Sequence, residues 1–125
     1  MRILLDTNIV LWAMGGSVKL SKAARREIEQ ADTVYVSAAS LWEIGIKVGL
    51  DKLDVDIDQL VSLLAEAGFV QLPISWKHAQ MIQGLPHHHR DPFDRMLVAQ
   101  AISEPLRLVT HDALLTRYSD LVLVV

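Results

Sequence analysis

The chain has 125 residues, a length that suits one domain covering residues 1–125 and is too short for two ordinary ones. It is 51% hydrophobic and 22% charged and has no cysteine, which excludes a disordered chain, a disulfide scaffold, a thiolate zinc site and a cysteine nucleophile. The formal net charge of −3 argues against a passive nucleic-acid binder, which usually carries a basic excess. The longest apolar run, residues 9–14, is far shorter than the ~20 residues of a membrane span, and Asp6 interrupts the short apolar start, so we expect neither a transmembrane segment nor a signal peptide.

Short strand-like runs alternate with longer helical patterns along the chain. Strands are predicted over residues 2–5, 33–36, 69–72, 106–109 and 121–125. Helices are predicted over residues 7–14, 21–31, 40–50, 57–67, 75–83, 92–103 and 113–118. This alternation predicts an α/β domain with a mostly parallel sheet, and the near-continuous apolar strands indicate a sheet covered on both faces.

Four acidic residues fall close to the ends of predicted strands or the starts of predicted helices. Asp6 follows the first strand, and Glu43 is expected to open the helix after the second. Asp94 lies in the first turn of a predicted helix, and Asp112 follows the strand over residues 106–109. Because ligands of an open parallel sheet bind outside the carboxyl ends of its strands, we expect these side chains to meet at that edge.

Each of the four acids also has a simpler explanation. Asp6 and Asp112 could be plain helix N-caps, and Glu43 and Asp94 each stand three residues after a capping residue, the spacing of a capping box. Together, however, four converging carboxylates would repel one another, by about 4 kcal/mol for a pair ~4 Å apart at an effective dielectric of about 20. The pattern therefore predicts a bound cation, and oxygen ligands of this kind suit Mg²⁺ or Mn²⁺.

A divalent ion held by carboxylates can support hydrolysis of phosphate esters. With open coordination positions it can activate water and clamp a phosphate, which supports hydrolysis of a phosphodiester bond. The chain lacks both glycine-rich phosphate loops, GxGxxG and GxxxxGK, which argues against an enzyme of nucleoside triphosphates or dinucleotides.

Four segments, in order along the chain, resemble the motifs of PIN-domain ribonucleases, most closely the VapC toxin group of bacterial type II toxin–antitoxin systems. The segments are MRILLDTN at residues 1–8, SLWEI at 40–44, RDPFDRMLVAQA at 90–101 and THD at 110–112. The third segment is quite specific, and the ordered set covers nearly the whole chain.

The resemblance implies a fold, an activity and partners. The implied fold is a three-layer α/β/α sandwich with a five-stranded, mostly parallel sheet. The implied activity is that of an endoribonuclease that depends on Mg²⁺ or Mn²⁺ and hydrolyses RNA in the cytoplasm. The implied partners are a second copy of the chain, in a homodimer, and a cognate VapB-like antitoxin that blocks the active site.

The resemblance also implies the residues of the site. Its catalytic and metal-binding acids are Asp6, Glu43, Asp94 and Asp112. The supporting polar residues are Thr7, Asn8, Thr110 and Arg95, of which the arginine either touches substrate or pairs with a nearby acid. Our hypothesis is that Asp6 and Asp94 hold the principal ion and that the other two acids complete its shell or that of a second ion.

Several further residues have two interpretations. The histidines at 87–89 are predicted to lie in a solvated loop, with contact to RNA phosphate or a metal as the alternative. Trp12, Trp42 and Trp76 are predicted to pack in the core or in a dimer interface rather than against bases. A basic rim around the acidic centre could come from Lys47, Lys77 and Arg90.

Three other functions stay open at this point. The chain could be a PIN-domain nuclease of RNA processing without a toxin role. It could be a phosphohydrolase with Asp6 as nucleophile, although that chemistry usually needs a second acid where Asn8 stands. It could be a phosphoacceptor signalling module, against which the two leucines before Asp6 argue, because such a module normally carries adjacent acids there.

Overall fold

Five parallel strands form the centre of the molecule, in a computed structural model that describes residues 1–125. The strands are β1 (Arg2–Leu5), β2 (Thr33–Ser37), β3 (Val70–Leu72), β4 (Arg107–Thr110) and β5 (Val122–Val124). Their order across the sheet is β3-β2-β1-β4-β5, and all four neighbouring pairs are parallel. The predicted α/β class and five-stranded parallel sheet are therefore confirmed.

Helices follow the strands and cover both faces of the sheet. They are α1 (Thr7–Met14), α2 (Lys22–Gln30), α3 (Ala38–Gly49), α4 (Ile57–Glu66), α5 (Trp76–Ile82), α6 (Pro92–Ser103) and a short 3-10 helix (Ala113–Arg117). Successive side chains of a strand point to opposite faces, so Ile3 and Leu5 enter one hydrophobic core while Leu4 enters the other. Two cores of this kind, one on each face, give the predicted three layers.

The order in which strands are added to the sheet reverses beside β1, although every strand keeps the same direction. It runs outward from β1 through β2 to β3, and then returns to place β4 on the other side of β1. The crevice between the carboxyl ends of β1 and β4 is thus the switch point at which open parallel sheets bind ligands. Asp6 directly follows β1, and Thr110 ends β4.

Two predicted capping boxes are wrong. Helix α3 begins at Ala38, because the Ser37 hydroxyl accepts the Ala39 N–H at 3.0 Å, so Glu43 lies in the second turn instead of opening the helix. Helix α6 is capped by Asp91, whose own N–H is donated to the His89 ring and not to Asp94. The carboxyl groups of Glu43 and Asp94 therefore cap neither helix.

Two of the three tryptophans do not pack in the core. Trp42 on α3 and Trp76 on α5 are 62% and 91% exposed, so the core interpretation is wrong for both. Trp12 on α1 is partly buried against the core and packs edge-to-face on His111, with ring centroids 5.2 Å apart. Apolar helical spacing gave no way to tell an inward from an outward tryptophan.

The helices are short. None of them combines the length and the apolar composition that crossing a bilayer requires.

Candidate active site

Asp6 links the first helix to the switch point. Its side chain is 5% exposed, and its Oδ1 accepts the Ile9 N–H at 2.9 Å, which caps α1. Its Oδ2 accepts the hydroxyl of Thr110 and, at 3.4 Å, the N–H of His111. Burial raises the pKa of Asp6, the hydrogen bonds oppose that rise, and the charge of Glu43 adds to it. The capping role is therefore real, but it uses only one of the two oxygens.

Thr110 connects Asp6 to Asp112. Its hydroxyl donates to Asp6 and accepts the N–H of Asp112 at 3.0 Å. A hydroxyl has one proton to give and lone pairs to accept, so both bonds form at once. This single side chain fixes the acid that ends β1 relative to the acid that follows β4.

In Asp112, as in Asp6, one carboxylate oxygen caps a helix and the other accepts a hydrogen bond from a side chain of the site. Its Oδ1 accepts the Leu114 N–H at 2.9 Å and caps the 3-10 helix. Its Oδ2 accepts a hydrogen bond from His89 Nε2 at 2.8 Å. Again one oxygen serves the fold while the other faces the acidic edge.

His89 belongs to the site, which corrects its assignment to a solvated loop. Its side chain is only 17% exposed, and its Nε2 lies 3.5 Å from Asp94 Oδ2 as well as 2.8 Å from Asp112. Its Nδ1 accepts the N–H of Asp91 at 3.0 Å, so the proton of the neutral ring is on Nε2. His89 therefore donates its Nε2–H to Asp112 and keeps that ring nitrogen close to Asp94.

Asp94 shows how close the acids lie to one another. Its pKa is raised to about 7, first by burial and then by the charges of Asp91, Asp6 and Glu43, which His89 partly offsets. A carboxyl group whose pKa responds to these neighbours shares one electrostatic environment with them. Because carboxylate oxygens of Asp94 and Asp112 also lie within 4.8 Å of each other, the structure brings the four predicted acids to one edge of the sheet.

Glu43 joins the acids from the second turn of α3. It is 8% exposed, and Lys47, one helical turn later, pairs with it at 2.9 Å. The hydroxyl of Thr7 donates to Ser40 at 3.0 Å and so ties the start of α1 to the helix that carries Glu43. Asn8, the remaining predicted supporting residue of α1, is exposed.

Arg95 forms no ion pair with an acid. It is 8% exposed, and its guanidinium donates to the backbone oxygens of Pro86, Ile82 and Leu85 and to the hydroxyl of Tyr118. The same hydroxyl accepts the N–H of His89 at 2.9 Å. Arg95 thus braces the loop that presents His89, and the predicted pairing with an acid on the helix surface is wrong.

The predicted basic rim forms only in part. Lys47 is at the acidic edge, whereas Lys77 donates to the Ser103 carbonyl at the far end of α6. Arg90 is exposed and takes part in none of the ion pairs of the molecule.

The donor set fits a hard divalent cation. Carboxylate oxygens of Asp94 and Asp112 and the His89 ring nitrogen that donates to Asp112 all lie within 4.8 Å of one another, and Asp6 and Glu43 raise the pKa of Asp94 from beside them. Carboxylate oxygens are the ligands that Mg²⁺ and Mn²⁺ prefer, and no thiolate is present in the chain. A cation would stabilise the ionised carboxylates against the burial and the repulsion that raise the pKa of Asp6 and Asp94.

The sequence and the fold place the chain in a known protein family. The family model described as PIN domain matches residues 3–121, and the chain belongs to this family. Ribonuclease VapC22 of Mycobacterium tuberculosis is 33% identical over 112 residues, which cover 88% of this chain and 86% of that protein. The resemblance to PIN-domain proteins of the VapC group is therefore confirmed.

Solved structures share the fold at lower identity. A VapBC2 complex from Rickettsia felis, solved with a DNA fragment of its promoter, aligns with a TM-score of 0.70 and 19% identity over 100% of this chain and 98% of its own. A toxin–antitoxin complex from Klebsiella pneumoniae aligns with a TM-score of 0.68 and 18% identity, over 97% and 95% of the two chains.

Proposed function

We propose that the protein is an endoribonuclease that hydrolyses RNA phosphodiester bonds with Mg²⁺ or Mn²⁺ and acts as the toxin of a VapBC-type pair. One observation carries the proposal: Asp6, Glu43, Asp94 and Asp112 come from four separate elements and meet at the switch point of the sheet, where burial and mutual repulsion raise the pKa of Asp94. Such an arrangement is costly for a fold and is useful to a metal enzyme.

The residues would divide the work as follows. Asp6, Asp94 and Asp112 would hold the ion through the oxygens that do not cap helices, and Glu43 would complete its shell or that of a second ion. When bound, a divalent ion supplies an activated water and stabilises the charge that develops on the phosphate. Thr110 orients Asp6, and the N–H of His89 orients Asp112.

We also assign the protein to the cytoplasm, as a homodimer whose activity is blocked by a cognate antitoxin. Support for the antitoxin comes from the relatives, since the structures that share the fold are toxin–antitoxin complexes.

A phosphohydrolase with Asp6 as nucleophile fits the geometry less well. Both oxygens of Asp6 already accept hydrogen bonds, one from the capping N–H of Ile9 and the other from Thr110. That chemistry also usually needs a second acid two residues after the nucleophile, and the exposed Asn8 stands there.

The test is cleavage of total RNA by the purified protein in Mn²⁺, in Mg²⁺ or with a chelator, with the ends mapped. We expect cleavage with either ion, none with chelator, and a loss of at least about 100-fold in Asp6→Asn, because several kcal/mol of stabilisation depend on the ion. Asp32→Asn is the matched control, since Asp32 is exposed at the opposite edge of the sheet. Metal-independent cleavage, or full activity in Asp6→Asn, would contradict the proposal.

A further inference from the structure

A cavity of about 670 Å³ lies directly beside the acids. Its walls include Trp42, Phe93 and Pro92, which are sequence neighbours of Glu43 or Asp94. His89 lines the cavity and also donates to Asp112, so the cavity and the acidic edge share a side chain. The volume is within the range of about 300–1,000 Å³ that is usual for small-ligand sites.

We propose that this aromatic pocket holds an unstacked nucleobase of single-stranded RNA next to the phosphate that is hydrolysed. The inference rests on the nuclease function proposed above and adds the side chains that would receive a base beside the acids. Single-stranded RNA is commonly bound with its bases splayed out and stacked on aromatic side chains or arginine planes.

Trp42 has the position and the exposure of a stacking platform. It is 62% exposed although it lies in a helix whose other face is in the core, and Phe93 fixes it edge-to-face at 5.1 Å between ring centroids. An exposed aromatic surface at a cavity marks a binding surface, and the shared His89 side chain, which ties this cavity to the acids, favours a substrate over a second copy of the chain.

The charges at the pocket favour a nucleotide over an uncharged apolar ligand. Arg90 and His87 line the pocket and are exposed, and Arg90 has no ion-pair partner despite the acids nearby. A phosphate that flanks the bound base would meet these cations, while the scissile phosphate would lie at the carboxylates of Asp94 and Asp112. Base, flanking phosphate and scissile phosphate then follow one another along a single strand.

The test compares binding of two probes in Ca²⁺, which occupies hard-cation sites: an eight-nucleotide single-stranded RNA and an abasic strand of the same length. We expect Trp42→Ala to weaken binding of the RNA by roughly 5- to 150-fold, the range that matches 1–3 kcal/mol per stacked base, and to leave the abasic strand almost unchanged. Trp42→Phe should retain most of the affinity. The matched control is Trp76→Ala, which removes a 91% exposed tryptophan outside the pocket and should change neither affinity.

Two further measurements separate the inference from the nuclease proposal. In a Trp12→Phe/Trp76→Phe protein, where Trp42 is the sole tryptophan, the RNA should quench fluorescence and the abasic strand should not. If wild-type protein cleaves RNA but Trp42→Ala binds and cleaves it equally well, the pocket inference is wrong and the nuclease function stands. The inference is equally wrong if Trp42→Ala weakens only the binding of an antitoxin protein. If the wild-type protein binds the RNA through Trp42 but cleaves none with any ion, the nuclease function fails.

Discussion

The two edges of the sheet treat their acids in opposite ways. At the amino edge, the N-terminal ammonium lowers the pKa of Asp32, and a hydrogen bond from His78 lowers that of Glu104. At the carboxyl edge, burial raises the pKa of both Asp6 and Asp94. At the amino edge the partner of each acid lowers its pKa, whereas at the carboxyl edge burial outweighs the hydrogen bonds, which indicates a site that needs positive charge from an added ion.

The largest expected effect is a loss of metal affinity when one acid of the carboxyl edge is neutralised. Asp94→Asn should lower the affinity for Mn²⁺ by at least about 100-fold, because an ionised oxygen is replaced by a neutral amide at the centre of the cluster. Isothermal titration calorimetry measures this directly, and Asp32→Asn at the other edge should bind Mn²⁺ as the wild type does. Equal affinities in the two variants would show that Asp94 is not a ligand.

The next effect concerns the brace that holds the carboxyl edge in shape. Arg95→Ala should lower the free energy of unfolding by about 2–3 kcal/mol, because it leaves buried backbone oxygens and the Tyr118 hydroxyl without their donor. Arg95→Lys should recover only part of this loss, since an ammonium cannot reproduce the fork of the guanidinium. Urea denaturation measures both. For comparison, Arg90→Ala should change stability by less than about 0.5 kcal/mol, and a loss of that small size in Arg95→Ala would refute the bracing role.

A third experiment compares the acids of the two edges through the pH dependence of the free energy of unfolding. The pKa of Asp94 is about 7 in the folded chain against 3.8 for an ordinary aspartate, so the folded state binds this proton more tightly. In chelator, stability should therefore fall as the pH rises from about 4 to 7 and level off above that, by an amount on the order of 1–2 kcal/mol once solvent screening is allowed for. Asp94→Asn should remove most of this fall. The lowered pKa values of Asp32 and Glu104 act in reverse, since their contribution is lost as the pH drops below the ordinary range of acids.

The smallest effect tests the amino edge. Glu104→Gln should cost less than about 1 kcal/mol, because the pair with His78 is partly solvated and a glutamine oxygen can still accept from the ring. RNA cleavage and Mn²⁺ affinity should stay at wild-type level. If this variant impaired cleavage as strongly as Asp6→Asn, the functional separation of the two edges would be wrong.

Most of the fold could be predicted from local pattern alone. The apolar runs and their breaks gave the order and type of every element, because each strand and helix buries a face whose spacing is visible in the sequence. Capping was harder to assign, since Ser37 and Ser40 are both good capping residues and only the backbone geometry shows that α3 starts after the first.

The site was predictable where its residues follow strands and was missed where tertiary contacts decide. Asp6 and Asp112 follow strands, and a parallel sheet brings such positions together. The position of His89 depends instead on Tyr118 and Arg95, which are distant in sequence, and its histidine-rich neighbourhood is typical of an exposed loop. The exposure of Trp42 was likewise invisible to helical periodicity.

The double use of Asp6 and Asp112 has a practical consequence for handling this protein. Each carboxylate lends Oδ1 to a helix cap, and an asparagine placed there still offers a carbonyl oxygen to the same N–H. Asparagine variants should therefore lose nuclease activity while keeping both helix caps. They would allow a chain that harms its host to be overproduced, and they could serve as decoys that titrate a natural inhibitor away from the active enzyme.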